Sequence, residues 1–190
     1  VSTDWAAAHH DDTDTYRFVE VDVDTGAYED GHIPGAIGWN WKTQLADPQV
    51  RDLASKADFQ ELLRESGIDD DTTIVLYGDN DNWFATWAFW QLRYYGHDHV
   101  KILDGGRKKW LAEDRPVITD EPDYERGNWT AEAPDNSLRA FSGYVQETLD
   151  RDDVELVDVR SPEEFSGEKL GPEGLNEGAQ RGGHIPGAHN

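Results

Sequence analysis

The order of hydrophobic and polar positions predicts alternating strands and helices in the first part of the chain. Residues 17–23 mix apolar and charged side chains as a strand does, and residues 72–77 form an almost continuous β-branched and apolar run typical of a buried parallel strand. Residues 58–66 place apolar side chains at helical spacing, with Asp58 expected as the N-cap and Gly67 ending the helix.

The same alternation continues downstream. Residues 83–95 are helical in spacing and apolar nearly all round, so we expect a buried helix with a tryptophan stripe in the core, formed by Trp83, Trp87 and Trp90. Residues 100–103 and 107–111 follow as a short strand and a helix. Strands that alternate with helices at this spacing predict an α/β domain with a parallel sheet.

Composition changes after this region. Residues 119–134 have few aliphatic side chains and several Pro and Gly, which indicates a linker. A helix is expected at 142–150 and a strand at 154–159, followed by a Gly-, Glu- and Pro-rich surface excursion at 166–183.

An internal repeat organises the chain. The hexapeptide GHIPGA at residues 31–36 returns letter for letter at 183–188, and the sequence Val-Asp-Val precedes both copies. Tyr28 in the first copy corresponds to Phe165 in the second. Asp22 and Asp158 are 136 positions apart, whereas the histidines of the two hexapeptides are 152 apart, so the second copy carries an insertion of 16 residues. Two copies of one domain are therefore predicted.

Charge narrows the possible partners. The 190 residues carry 40 acidic and 17 basic side chains, for a net charge of −23, and no cysteine. This charge repels nucleic acid and anionic membranes, and its spread over the chain indicates adaptation to high salt, where the repulsion is screened. No apolar run reaches the ~18 residues of a membrane span, and no signal peptide begins the chain, so we expect a cytoplasmic protein.

The order of motifs resembles the rhodanese (thiosulfate sulfurtransferase) family. The resemblance rests on a strand ending in Val-Asp-Val, an aromatic residue, GHIPGA, the strand at 74–77, the helix at 83–95, and then Gly96-His97, Leu103-Asp104-Gly105-Gly106 and Trp110. It covers about the whole chain and implies a three-layer α/β/α domain with a parallel sheet at 1–120. A linker at 121–136 and the opening part of a second copy at 137–190 would follow.

The resemblance also implies a chemistry. In the family, a cysteine opens the loop after a strand, takes the outer sulfur of thiosulfate or mercaptopyruvate, and passes it to a thiophilic acceptor without metal or cofactor. Gly78 stands at the matching position of the first copy, so we expect a non-catalytic domain that packs against the second. The cysteine is expected near position 230, beyond Asn190, which would make these residues alone inactive.

Five further residues match positions of the family motif. Arg160 corresponds to an arginine that contacts the anionic sulfur donor, although it could instead pair with Asp158, Glu163 or Glu164. The remaining four are expected to be structural, with the histidines bracing loops rather than binding metal: Asp22, His32, Asp158 and His184.

Two other functions stay open from the sequence. A rhodanese module without any cysteine would bind or regulate rather than catalyse, and the residues beyond 190 discriminate this case. Alternatively, Asp22 and Asp24 after a strand are similar to the nucleophile motif of Mg²⁺-dependent phosphohydrolases. Thr25 comes one residue too early for that motif, and Arg160 replaces Asp24 in the second copy.

Overall fold

A computed structural model describes residues 1–50, 52–172 and 178–190. The chain divides into two compact units, Val1–Leu138 and Arg139–Asn190, and each is described by itself. No helix among the described residues is long and apolar enough to cross a lipid bilayer.

A four-stranded parallel sheet forms the centre of the first unit. Its strands are β1 (Tyr16–Asp22), β2 (Ile37–Asn40), β3 (Thr73–Tyr77) and β4 (Val100–Ile102). They lie in the order β2-β1-β3-β4, and Glu20 of β1 is opposite Tyr77 of β3. Each strand lies within two residues of its predicted position, except β2, which the hydrophobic pattern did not predict.

Helices cover both faces of this sheet, which confirms the predicted α/β/α fold. They are α1 (Thr3–Ala7), α2 (Gly26–Asp30), α3 (Lys56–Glu65), α4 (Trp83–Tyr94) and α5 (Gly106–Ala112). Alternate side chains of β1 enter two separate cores. Val19 and Val21 pack with α3 and α4, whereas Phe18 packs with Ala6 of α1 and Trp110 of α5.

Two local predictions for the helices were wrong. The N-cap of α3 is Ser55, whose Oγ accepts a hydrogen bond from Asp58 N at 3.2 Å while its hydroxyl donates to the Asp58 carboxylate at 2.6 Å. The helix α4 buries only one side, including Ala85 and Ala88, and Trp83 is 56% exposed rather than in the core. A helix at the edge of an α/β/α layer still has one face toward water, even where that face is aromatic.

The segment 119–134, which the sequence indicates as a linker, has no regular secondary structure and packs within the first unit. The Tyr124 hydroxyl donates to Gly35 O at 2.7 Å, and its ring lies 3.2 Å below the Arg17 guanidinium. Trp129 is buried, and Arg64 Nε donates to its carbonyl at 2.8 Å. These contacts fasten the segment to the unit; the exact domain boundaries stay a prediction.

The second unit contains two short helices, α6 (Ser142–Thr148) and α7 (Pro162–Ser166). The strand predicted at 154–159 is wrong: a single parallel bridge joins Val157 to His189, in which Asp158 N donates to His189 O and His189 N to Leu156 O. One bridge does not make a sheet ladder, and Val159 is 92% exposed. Part of the predicted surface excursion, residues 173–177, lies outside the described residues.

Candidate functional site

The carboxyl ends of β1 and β3 meet at one edge of the sheet, followed by the loop 78–82 and the start of α5. Ligands of open parallel sheets bind outside the carboxyl ends of their strands, so this edge is the candidate site of the first unit. Its side chains come from Glu20 and Asp22 on β1, Asn82 in the loop, and Arg107 on α5.

The position of Gly78 leaves no space for a side chain. A Cβ built there would overlap the carbonyl oxygen of Val21 and lie 3.0 Å from Asp22 Oδ1. Because the overlap involves backbone, no rotamer relieves it. The first unit therefore lacks a nucleophile at this position and also the room to accept one.

The loop 78–82 is closed by side chains of the loop and of β1. Gly78 N donates to Asn82 Oδ1 at 3.1 Å, and Asp79 N donates to Asp22 Oδ1 at 2.7 Å. Asn80, Asp81 and Asn82 all have left-handed backbone conformations. Two of the backbone N–H groups that could hold an anion thus already have protein acceptors.

Glu20 and Arg107 form a buried ion pair behind this loop. Arg107 Nη1 contacts both carboxylate oxygens of Glu20, at 2.8 and 3.0 Å, and Nη2 donates to Ala27 O at 2.7 Å. Burial raises the pKa of Glu20 to about 7 even though Arg107 opposes the shift. The sequence analysis missed both residues; the signal was a charged side chain in the middle of a buried strand.

The carboxylates after β1 are engaged by the backbone. Asp22, 3% exposed, accepts from Asp79 N, and Asp24 Oδ1 accepts from Gly26 N at 3.1 Å. Among the described residues, no group of three His, Cys, Asp or Glu side chains could hold a metal ion. Nothing in this geometry favours the phosphohydrolase alternative.

The first GHIPGA loop is braced by its histidine. The His32 ring stacks on Tyr28 with centroids 3.9 Å apart, and Nδ1 lies 2.9 Å from Tyr28 O. His32 also exchanges two backbone hydrogen bonds with Ile118. Gly35 turns the chain with φ +76°. The side chain therefore joins α2 to the loop.

The second loop repeats this arrangement. The His184 ring stacks on Phe165 with centroids 3.8 Å apart, and Nδ1 lies 2.8 Å from Phe165 O. Gly187 has φ +81°, close to the +76° of Gly35 in the first copy. The alignment of Tyr28 with Phe165 thus corresponds to the same local geometry despite the insertion.

Arg160 pairs with the carboxylate of Asp158, two residues before it. Its Nε and Nη2 donate to Asp158 at 2.9 and 2.6 Å, and Nη2 also donates to Gly183 O at 2.9 Å. The pair holds the pKa of Asp158 below its usual range. Of the three carboxylates considered as partners of Arg160, the structure therefore selects Asp158, and the Arg160 side chain is 33% exposed.

An open groove of about 740 Å³ lies beside this pair in the second unit. Residues 156–160 and 182–186 line it, together with Arg181. The sequence analysis missed Arg181, because nothing in the surrounding Gly-rich stretch distinguishes it. Arg160, Arg181 and the Asp158 carboxylate paired with Arg160 all border the groove, so a small anion there would meet two cationic side chains and one acidic one.

Comparison with known proteins decides the family. The sequence model of the rhodanese-like domain matches residues 2–113 and 142–190. The chain belongs to the rhodanese family. The match spans both copies of the repeat. Rhodanese membership also agrees with the parallel sheet and its two helical layers.

Relatives along the full chain support this assignment. A "Putative thiosulfate sulfurtransferase" of Haloferax volcanii is 51% identical over 194 residues, covering 100% of this chain and 68% of that protein. One of the same name from Mycolicibacterium smegmatis is 50% identical, with the same coverage of both chains. The 3-mercaptopyruvate sulfotransferase SseA from Escherichia coli, whose crystal structure has the rhodanese fold, is 26% identical in sequence to this chain, with a TM-score of 0.80. It covers 99% of this chain and 72% of that chain.

Proposed function

We propose that this chain serves a thiosulfate sulfurtransferase, which moves sulfane sulfur from thiosulfate or 3-mercaptopyruvate to a thiophilic acceptor through a cysteine persulfide. The names of its relatives support the reaction class. The observation that carries our assignment of roles is the closed loop at Gly78, because a loop without room for a nucleophile supports a non-catalytic role for the first unit. The cysteine then belongs to the second repeat, near position 230.

We propose that Arg160 binds substrate, and this role depends on the ion pair with Asp158 that orients its guanidinium group. Two of its guanidinium nitrogens hold Asp158, which fixes the plane of the group at the border of the groove. A fixed guanidinium suits a planar or tetrahedral oxyanion better than a mobile ammonium group does. We propose that the sulfonate-like end of the donor binds there.

The setting that we propose is a cytoplasm of high salt, with no nucleic-acid or membrane partner, and with the first domain packed against the second. The net charge of −23 supports the high-salt setting and the lack of anionic partners, and the domain packing is what the family resemblance implies. We expect the first unit to lose stability, reversibly, when KCl falls from molar concentration to ~0.1 M, where repulsion acts over about 10 Å instead of 3 Å. Unchanged unfolding by tryptophan fluorescence would reject salt adaptation.

Sulfur transfer from thiosulfate to cyanide tests the function. This 190-residue chain is expected to form no thiocyanate, whereas a polypeptide extended through the second repeat is expected to form it and to lose the activity on Cys→Ser replacement near 230. An extended protein with no cysteine there, or with full activity after its replacement, would instead support the non-catalytic binding module.

A gain-of-function attempt tests the assignment of the first unit. Gly78→Cys is expected to give no activity and to lower stability, because the new Cβ overlaps Val21 O. Asp81→Cys is the matched control: Asp81 lies in the same loop with its side chain 82% exposed, so a thiol there has space and meets no backbone overlap. Activity in the Gly78→Cys protein would show that the loop can open and would contradict our assignment.

A further inference from the structure

Glu20, Asp22 and Arg107, at the edge of the first unit's sheet, carry an unequal number of negative and positive charges. Glu20 and Asp22 stand two residues apart on β1 and therefore face the same side of the sheet. They are 1% and 3% exposed, and Arg107 is the cation that contacts Glu20. Two carboxylates and one guanidinium leave one uncompensated negative charge in a site that excludes water, which is costly.

One oxygen in this cluster has no donor. Asp22 Oδ1 accepts from Asp79 N at 2.7 Å, but Asp22 Oδ2 is buried without a hydrogen-bond partner among the described residues. Both oxygens of Glu20 receive Arg107 Nη1. A single proton on either carboxyl group would remove the excess charge and would also supply a donor for the orphaned oxygen.

The other groups around Glu20 do not balance this charge. Tyr77 of β3 and Tyr28 of α2 both face it. Burial raises the pKa of each phenol and the charge of Glu20 adds to the shift, so both remain neutral. Asp79 lies 3.8 Å from Arg107 Nε and adds a further negative group, 42% exposed, at the rim. Arg107 is thus shared between acids rather than held in excess.

The cluster also holds the strained loop in place. Asp22 accepts from the backbone of Asp79, and Arg107 N donates to Gly78 O at 3.3 Å. Both attachments lie at the start of the loop, directly before Asn80, Asp81 and Asn82, which all have left-handed backbone conformations that are less favourable than right-handed ones for residues with a side chain. The loop therefore depends on the cluster that anchors it.

We propose that Glu20, Asp22 and Arg107 form a proton-dependent latch, which holds the loop 78–82 closed while the two carboxyl groups share one proton. Loss of that proton places two negative charges side by side and releases the loop. The raised pKa of Glu20, about 7, agrees with this arrangement. Because an opened, hydrated Glu20 would titrate near 4.5, the closed loop is favoured at low pH; closure weakens as pH rises toward 7 and is constant above it.

Two measurements on the whole chain in molar KCl test the latch. A carbon NMR titration is expected to place the midpoint of the Glu20 carboxyl near 7. Protection of the Asp79 amide against hydrogen exchange, corrected for the intrinsic rate, is expected to fall about tenfold between about pH 5.5 and 7 and then level off. A Glu20 midpoint at about 4.5 or below, or protection independent of pH, would overturn the proposal.

The variants separate the latch from general effects of charge. Glu20→Gln is expected to remove the pH dependence of Asp79 protection, and Asp22→Asn is expected to do the same should the first variant fail to fold. Glu61→Gln is the matched control, since Glu61 also makes a two-pronged contact with an arginine, Arg126, but at the surface. A Glu61→Gln protein that lost the pH dependence would reject the assignment to Glu20.

Discussion

The two GHIPGA loops have the same local geometry and very different surroundings. In both, a histidine stacks on an aromatic ring at 3.8–3.9 Å, and the turn closes with a hydrogen bond, Ala36 N to Ile33 O at 2.9 Å or Ala188 N to Ile185 O at 3.0 Å. Yet Ile33 is 1% exposed and Ile185 is 46% exposed. Six residues and an aromatic ring are sufficient for the turn, but they do not create a core.

The burial of the first loop comes from neighbouring elements. Ile33 N donates to the hydroxyl of Tyr77 on β3 at 3.1 Å, and His32 bonds to the backbone of Ile118, far along the chain. In the described part of the second unit, no strand like β3 packs on the loop, and no residue bonds to the backbone of His184 as Ile118 does to that of His32. The stability of the motif should therefore differ between the copies even though its geometry does not.

The largest expected difference follows from removing the histidines. His32→Ala leaves a cavity in a fully buried site and removes the side-chain contact to Tyr28 O, which then keeps only Gly31 N as a donor, so we expect a loss of about 3 kcal/mol in the free energy of unfolding. All eight tryptophans lie in the first unit, so urea unfolding followed by tryptophan fluorescence reports this change. His184→Ala, at an exposed site, is expected to leave that transition unchanged and to speed exchange of the Ala188 amide only severalfold.

Equal effects of the two replacements would break the comparison. If His32→Ala cost no more than a surface substitution, the histidine would not brace the core, and a role in binding or proton transfer would regain support. The matched control is His99→Ala, which changes an exposed histidine of the same unit outside the loop.

A smaller difference is expected from the glycines that turn the two loops. Gly35 and Gly187 have φ of +76° and +81°, so alanine costs about 1–2 kcal/mol of strain at either position. Only the first site also has close neighbours: a methyl group added to Gly35 would lie 3.3 Å from the Tyr124 hydroxyl and 3.4 Å from His10 O, whereas one added to Gly187 would have nothing within 4 Å among the described residues.

Amide exchange at Ala36 and Ala188 measures these two effects separately. Gly35→Ala is expected to cost more than Gly187→Ala, because its methyl meets neighbours in addition to the strain. A larger loss at Gly187 would contradict this order and would mean that the second loop is more tightly surrounded than its exposure indicates.

The sequence predicted those elements of the fold that are determined by residues close to one another along the chain. The buried strands, the helix α4 and the matching loops followed from hydrophobic period and from an exact repeat. The strand at 154–159 failed because a strand needs partners, and among the described residues only His189 pairs with Val157. Likewise, Trp83 was expected inside because helical spacing alone cannot tell which face of α4 meets the sheet.

In the candidate sites, the sequence predicted only the residues that follow from the repeat or from neighbours close along the chain. Gly78 followed from the strand before it, but the overlap with Val21 O depends on β1, which lies far earlier in the chain. Glu20 and Arg107 are 87 residues apart, so no local pattern joins them. The partner of Arg160, in contrast, was among the carboxylates considered because Asp158 is two residues away.

The smallest expected effect concerns one hydroxyl group that distinguishes the copies. Tyr28 OH donates to Ala36 O at 2.9 Å in a buried site, and Phe165 occupies the corresponding place in the second copy. Tyr28→Phe should therefore cost about 1 kcal/mol, because Ala36 O loses a donor that water cannot replace. Phe165→Tyr should change the exchange of Ala188 by less than about twofold, because near the surface a new hydroxyl exchanges one bond with water for another. Stabilisation of the second loop by Phe165→Tyr as large as the loss in the first would show that the hydroxyl itself, rather than its burial, determines the difference between the copies.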